Sequence, residues 1–206
     1  AMGRDTEASG NYSFAVGNST KASGSLSFAS GFISNASGYN STALSGGNAS
    51  GSLSVAIGAS SASGDESTAI GIETYASGAS STAIGIYSQA TGAGSKSIGN
   101  NTIASGENST SIGNGNSATG LYSMSIGNDN TTAEGSFALA MGIGTLASGN
   151  YSTTMGYNTT ASGIYSTSMG EGTTASGEGS TATGLGSIAN GGYSTAMGAN
   201  TTASGF

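Results

Sequence analysis

The residues able to do chemistry are few. The 206-residue chain has no His and no Cys, so it lacks the commonest general base and the only thiol nucleophile. Serine is abundant, but no base accompanies it. Ten Asp and Glu are spread along the chain, and Asp65-Glu66 is the one adjacent pair. Solvated turn residues are expected there rather than paired catalytic carboxylates. Gly-x-Gly spellings occur at Gly113 to Gly115 and Gly142 to Gly144. They lack the strand–helix setting that a phosphate loop needs. Calcium-binding β-roll repeats carry an Asp in each Gly-rich nonapeptide, a pattern missing here. The expectation is a protein that is not an enzyme and has no cofactor, catalytic residue or metal site.

Three recurring side-chain sets remain. Tyr12, Tyr122, Tyr151, Tyr165 and Tyr193 each lie four residues after an Ala of an Ala-x-Gly element. Stacked at one per repeat, they form a candidate ligand-facing strip (Tyr122, Tyr151, Tyr165, Tyr193), or they simply stiffen a turn. Thr131-Thr132, Thr159-Thr160, Thr173-Thr174 and Thr201-Thr202 precede such an Ala. Regular Thr arrays resemble those of ice-binding solenoids, although these are expected in turns and are interrupted in the N-terminal half. Asn-x-Ser/Thr recurs, as in Asn11-Tyr12-Ser13 and Asn158-Thr159-Thr160. These Asn read as turn residues, or as glycosylation acceptors in a eukaryotic or viral protein.

The elements that carry these sets follow from composition. With 38 Gly and no Pro, the chain is not collagen, and 6% charged residues is not the composition of charged disorder. A net charge of −7, with only Arg4, Lys21 and Lys96 positive, argues against nucleic acid and anionic membrane as partners. No apolar run reaches the length of a membrane span, so direct membrane insertion is not expected. No signal peptide is read at the start, where Ala1-Met2-Gly3 fits both a cloning remnant and the repeat register.

The apolar residues are dispersed at a fixed interval. The Ala of Ala-x-Gly recurs at Ala8, Ala22, Ala36, Ala49, Ala62, Ala76, Ala90 and onward to Ala203, with spacings of 14 broken only by two of 13 and one of 15. The unit reads Ala-Ser-Gly-x-x-Ser-x-Ala-Ile-Gly-x-x-x-x. Such a period marks a solenoid and precedes any local motif. It is too short for a helical pair and suits two short strands and two turns. The expected architecture is an all-β parallel solenoid over residues 1–206, a single repeat domain of about 15 coils spaced ~4.8 Å apart. Length variation falls after the second Gly, at Ala59 to Ser61 and Asn128 to Thr132.

Strand alternation assigns the faces. So short a coil encloses little volume, and only Ala, Ser and Gly are expected inside. The lumen is read as Ser13, Ala15, Ser54, Ala56, Ser67, Ala69, Ser81 and Ala83 with their equivalents. Then Val16, Ile57, Ile70, Ile84, Ile98, Ile112, Ile126, Met141, Met155, Met169 and Met197 face outward. Soluble monomers rarely expose such a stripe, and burial stabilises each of these side chains by ~1.5–3 kcal/mol. The stripe is therefore read as an interface, with copies of the chain as its partner. The opposite reading reverses the faces and puts Ile inside.

Ser54 to Gly71 ("SVAIGASSASGDESTAIG") and "STAIGIYSQATG" resemble the head repeat of YadA-like trimeric autotransporter adhesins, and the resemblance covers the whole chain. It implies a left-handed parallel β-roll in which three chains pack through the Ser-Val-Ala-Ile-Gly strand. The number three and the handedness come from the resemblance alone. It further implies the head of an outer-membrane-anchored virulence protein at the bacterial cell surface, binding host extracellular matrix or glycans. Neck, heptad stalk and anchor are not read in these residues, so the chain is taken as an excised head. Two other functions stay open: a non-binding spacer of a surface, phage or viral fibre, and an ice-binding solenoid.

Overall fold

The computed structural model describes residues 1–205 and is all-β: a parallel β-solenoid with coils of about 14 residues. Its contacts divide it into two compact units, Ala1–Asn101 and Thr102–Phe206. Each coil contributes one strand to each of two parallel sheets. In the first unit one sheet runs from Met2–Arg4 to Lys96–Asn100, and the other from Glu7–Ala8 to Gln89–Ala90. In the second unit the corresponding sheets run from Thr110–Asn114 to Thr195–Ala199 and from Ile103–Ala104 to Thr202–Ala203.

The register is that of the repeat. Thr68, Ala69, Ile70, Gly71 and Ile72 pair with Thr82, Ala83, Ile84, Gly85 and Ile86. Like residues therefore stack on like along each sheet. The 13-residue coil before Ala62 keeps this register, with Val55, Ala56 and Ile57 beside Thr68, Ala69 and Ile70. The 15-residue coil accommodates its extra residue where Asp129 and Asn130 both turn through positive φ (51° and 63°). Length variation stays outside the ladders, because an extra residue in a strand would flip every side chain after it.

Two turns per coil explain the conserved spelling of the repeat. In the turn Gly64-Asp65-Glu66-Ser67, the Ser67 N–H and Oγ both donate to Gly64 O, at 3.2 and 2.6 Å. Ser54 does the same to Gly51 (Oγ 2.7 Å), and Ser166 to Gly163 (2.7 Å). In these coils the buried serine satisfies its hydroxyl locally, whereas Ser27, Ser81, Ser95, Ser109, Ser123, Ser152 and Ser180 at the same position are buried without a hydroxyl partner. At the far end of the long strand, Gly71 has φ +134°, and a Cβ there would collide with Gly85 O in the next coil. Only glycine allows both the backbone conformation and the approach.

The lumen is filled by Ala, Ser and Thr. Ala15, Ser54, Ala56, Ser67, Ala69, Ser81 and Ala83 are fully buried, whereas Ser13, near the start of the chain, is half-buried. The aliphatic row is not inside. The expectation that only Ala, Ser and Gly fit needs correction: Thr20, Thr74, Thr102, Thr131, Thr145, Thr159 and even Asn116 are buried as well. They sit where the chain turns from the long strand to the short one. In some coils this side chain donates to a Gly carbonyl of the following coil, whereas the hydroxyls of Thr20, Thr74, Thr145 and Thr159 have no partner. Thr131 Oγ1 reaches Gly142 O at 2.9 Å, Ser88 Oγ reaches Gly99 O at 2.8 Å, and Asn116 Nδ2 reaches Gly127 O at 2.6 Å.

Candidate functional surface

With the interior filled by small residues, every large side chain lies on the outside. In the first unit Val16, Leu44, Ile57, Ile70, Ile84 and Ile98 stand in one row along the long-strand sheet, and Ser30 interrupts it. In the second unit the row is Ile112, Ile126, Met141, Met155 and Met169, then Thr183, then Met197. Most are half-buried by their neighbours, while Met197 in the last coil is 68% exposed. In-register stacking of identical aliphatic chains covers their flanks and leaves the outer ends open.

The tyrosine strip takes a definite form. Tyr122, Phe137, Tyr151 and Tyr165 stack face to face with ring centroids 5.1 Å apart at each step and interplanar angles of 13°, 2° and 16°. Phe137 was missed in the sequence because the pattern followed there was tyrosine alone, although it stands four residues after Ala133 like the others. Tyr193 belongs to the same row but makes no ring stack; its hydroxyl donates to Glu178 Oε1 at 3.2 Å. That carboxylate, by accepting the hydrogen bond and by its charge, raises the Tyr193 pKa above the ordinary value. Tyr12 is isolated near the start and almost fully exposed. A second stack, Phe14 on Phe28 at 5.4 Å, lies on the long strands of the first unit.

All the row residues have positive φ, from 54° at Tyr122 to 59° at Tyr151 and Tyr165. Asn40, Gly94, Asn108 and Gly179 take the same place in other coils. Gly and Asn are the residues this conformation favours; bulky side chains are unusual in it. The conformation comes from the turn and the rings from selection of the side chain.

The Thr-Thr pairs are not turn arrays. Thr131, Thr159 and Thr173 point into the lumen and are fully buried, while Thr132, Thr160 and Thr174 begin short strands and face outward. Adjacent residues in extended backbone point to opposite sides, so each pair exposes one Thr. Leu146 and Ile188 interrupt even that outer row.

The one acidic pair is split by the turn that holds it. Asp65 Oδ1 accepts from Ser52 N at 2.9 Å in the preceding coil, and Glu66 Oε2 accepts from Ser80 Oγ at 3.1 Å in the following one. The two carboxylates brace neighbouring turns and converge on no common point. Among the described residues no three acidic groups come together as a metal site would require. Arg4 pairs with Asp5 and Lys21 with Glu7, both at 3.3 Å on the surface.

A parallel β-solenoid with a small-residue interior and an in-register apolar row outside is a repetitive scaffold whose working parts are its surfaces. The YadA head domain repeat matches eleven segments that together cover nearly all of the chain, from residues 1–20 to 189–205. The chain belongs to that family and is an adhesin-type head domain. Comparison with individually curated proteins gave no match.

Proposed function

We infer that this chain is the head of a cell-surface adhesin that works as a homotrimer. The carrying observation is the aliphatic row. Ile70 and Ile84 are in register and half-exposed on a face whose opposite side already packs a filled lumen. The row therefore gains burial only against another chain. Three copies placing Val16, Ile57, Ile70, Ile84, Ile98, Ile112, Ile126, Met141, Met155, Met169 and Met197 around one axis exclude it from water, and family membership supports the number three. The two units belong to one head over residues 1–206.

The rest of the surface faces the partner, an extracellular matrix protein or a glycan. Charged residues are 6% of the chain, so recognition runs through Ser, Thr, Asn and the tyrosine row. Repetition substitutes for single-site strength: one weak site shown on three chains raises avidity by orders of magnitude.

Light scattering after size exclusion tests the assembly. A trimer appears near 58 kDa, three times the 19.5 kDa chain mass; a 19.5 kDa species overturns it. A solid-phase panel of matrix proteins and glycans tests the binding, and a blank panel with an intact trimer leaves a spacer instead.

A further inference from the structure

The aromatic row of the second unit has a missing rung. Main-chain hydrogen bonds set its order: Tyr165 N to Asn150 O (3.0 Å), Gly179 N to Ile164 O (2.8 Å) and Tyr193 N to Glu178 O (2.6 Å). Gly179 thus occupies the step between Tyr165 and Tyr193, with the same positive φ (61°) that the ring-bearing residues show. Tyr165 is stacked on Tyr151 on one side and on no ring on the Gly179 side. It is 60% exposed, against 49% for Tyr151. Phe137 and Tyr151, within the stack, have a ring on both faces and offer a partner only their edges, while Tyr122 at the far end is preceded by Asn108 rather than a ring.

Two further features surround the open step. A Cβ on Gly179 would lie 2.7 Å from Tyr193 Cδ1, so the Tyr193 ring leans over the glycine. Glu178 stands beside it, holding the Tyr193 hydroxyl at 3.2 Å. Residues 102–206 contain no Lys or Arg, so this carboxylate has no cation in its own unit. An aromatic face with no stacked ring, a second ring leaning in from the next coil and a carboxylate with no cation in its unit, all within one coil step, match one kind of group: flat, cationic and rich in N–H donors.

We propose that the step over Gly179 receives one arginine side chain of a partner polypeptide, its guanidinium stacked on Tyr165, donating to Glu178 and covered by Tyr193. Arginine fits because its plane is one rung thick and its edge carries the donors. A lysine ammonium lacks the plane, and a quaternary ammonium lacks the donors. This rests on the reading that the tyrosine row faces the partner, and it names the chemistry of one contact within it.

The test is NMR of the tyrosine rings of the whole chain, titrated with the capped peptide Gly-Ser-Gly-Arg-Gly-Ser-Gly, its Lys counterpart and choline. The Arg peptide shifts Tyr165 and Tyr193 saturably and binds about fivefold or more tightly than the other two, the ratio ~1 kcal/mol of stacking and hydrogen bonding yields. Gly179→Tyr fills the rung and Glu178→Gln removes the charge; each weakens the Arg peptide by about fivefold or more. Gly179→Tyr is compatible with the fold, since Tyr stands at this position in other coils and only the Tyr193 ring must give way. Unchanged Tyr122 and Tyr151 signals report an intact stack. No saturable shift, an equal response to Lys or choline, or undiminished binding by Gly179→Tyr overturns the proposal. Matrix binding that survives Gly179→Tyr unchanged overturns it too, while leaving the adhesin reading in place.

Discussion

Ile70 and Ile84 are register partners on adjacent parallel strands and both remain half-exposed, while Ala69 and Ala83 beside them are fully buried. The small residue is inside and the large one outside, the reverse of an ordinary globular core. The reason is volume. Two sheets in a coil of about 14 residues approach too closely for anything longer than Thr or Asn between them. Apolar area that the fold leaves on the surface is then available to drive assembly.

Replacing both isoleucines by aspartate separates the two roles of the strand. Ile70→Asp with Ile84→Asp puts two charges into the proposed trimer interface, where burial of unpaired charge is costly. The expected outcome is a shift in solution mass from near 58 kDa toward 19.5 kDa, with the β-sheet circular dichroism of the solenoid retained. An unchanged mass would mean the row is not the interface.

Substitution inside the lumen should do the opposite. Ala83→Leu inserts three carbons where Ala69 and Ser97 stack on either side, and overpacking of a filled core costs ~1–3 kcal/mol or more. The outward neighbour Thr82→Leu should cost within about 0.5 kcal/mol, as surface changes usually do. Urea midpoints of the two variants check the face assignment directly.

Gly71→Ala meets both penalties at once, a φ of +134° and the carbonyl of Gly85. Destabilisation of at least ~2 kcal/mol is expected, in the range for strain at a special backbone position. Denaturant unfolding measures it. Gly172→Ala is the control, since an added Cβ there meets nothing nearby and only the conformational cost remains.

The aromatic stack contributes little to folding by magnitude alone. Phe137→Gly removes two ring contacts worth ~0.5–1.5 kcal/mol each. It also relieves a bulky residue at φ 57°, a conformation that costs ~1–2 kcal/mol outside glycine. The two nearly cancel, so stability should change by less than about 1 kcal/mol. Loss of matrix or glycan binding by this variant, with the urea midpoint held, marks the row as a binding surface.

Tyr193 should ionise above the ordinary tyrosine range. Its pKa is raised by the hydrogen bond to Glu178 and by that carboxylate's charge. A raised folded value contributes stability that is present below the unfolded value and lost as pH rises through the folded one. Alkaline titration followed by ring NMR should show Tyr193 moving above the ordinary tyrosine range, and Glu178→Gln should return it there.

Much of this was legible beforehand for one physical reason. A solenoid repeats its environment every coil, so a local pattern of period two inside a period of 14 carries fold, register and face together. Alternation put Ala69 and Ile70 on opposite faces, and the small volume of the coil favoured Ala69 as the inner one, which its burial bears out. Other features escaped because they depend on contacts between coils. The buried Thr131 and Asn116 answer carbonyls of the next coil, which composition does not reveal. Phe137 joins the tyrosines only through a stack, and Asp65 and Glu66 look paired until the turn sends one to Ser52 and the other to Ser80.

The residues themselves determined the parallel solenoid, its coil length and the alternation of small and large side chains between two faces, and the structure decided that the small face is the inner one. The tertiary structure decided which side chains meet from coil to coil. It stacked Tyr151 on Tyr165, left the step at Gly179 without a ring and brought Tyr193 to Glu178, because those relations depend on the turn conformation and on the contacts between successive coils, which no single repeat contains.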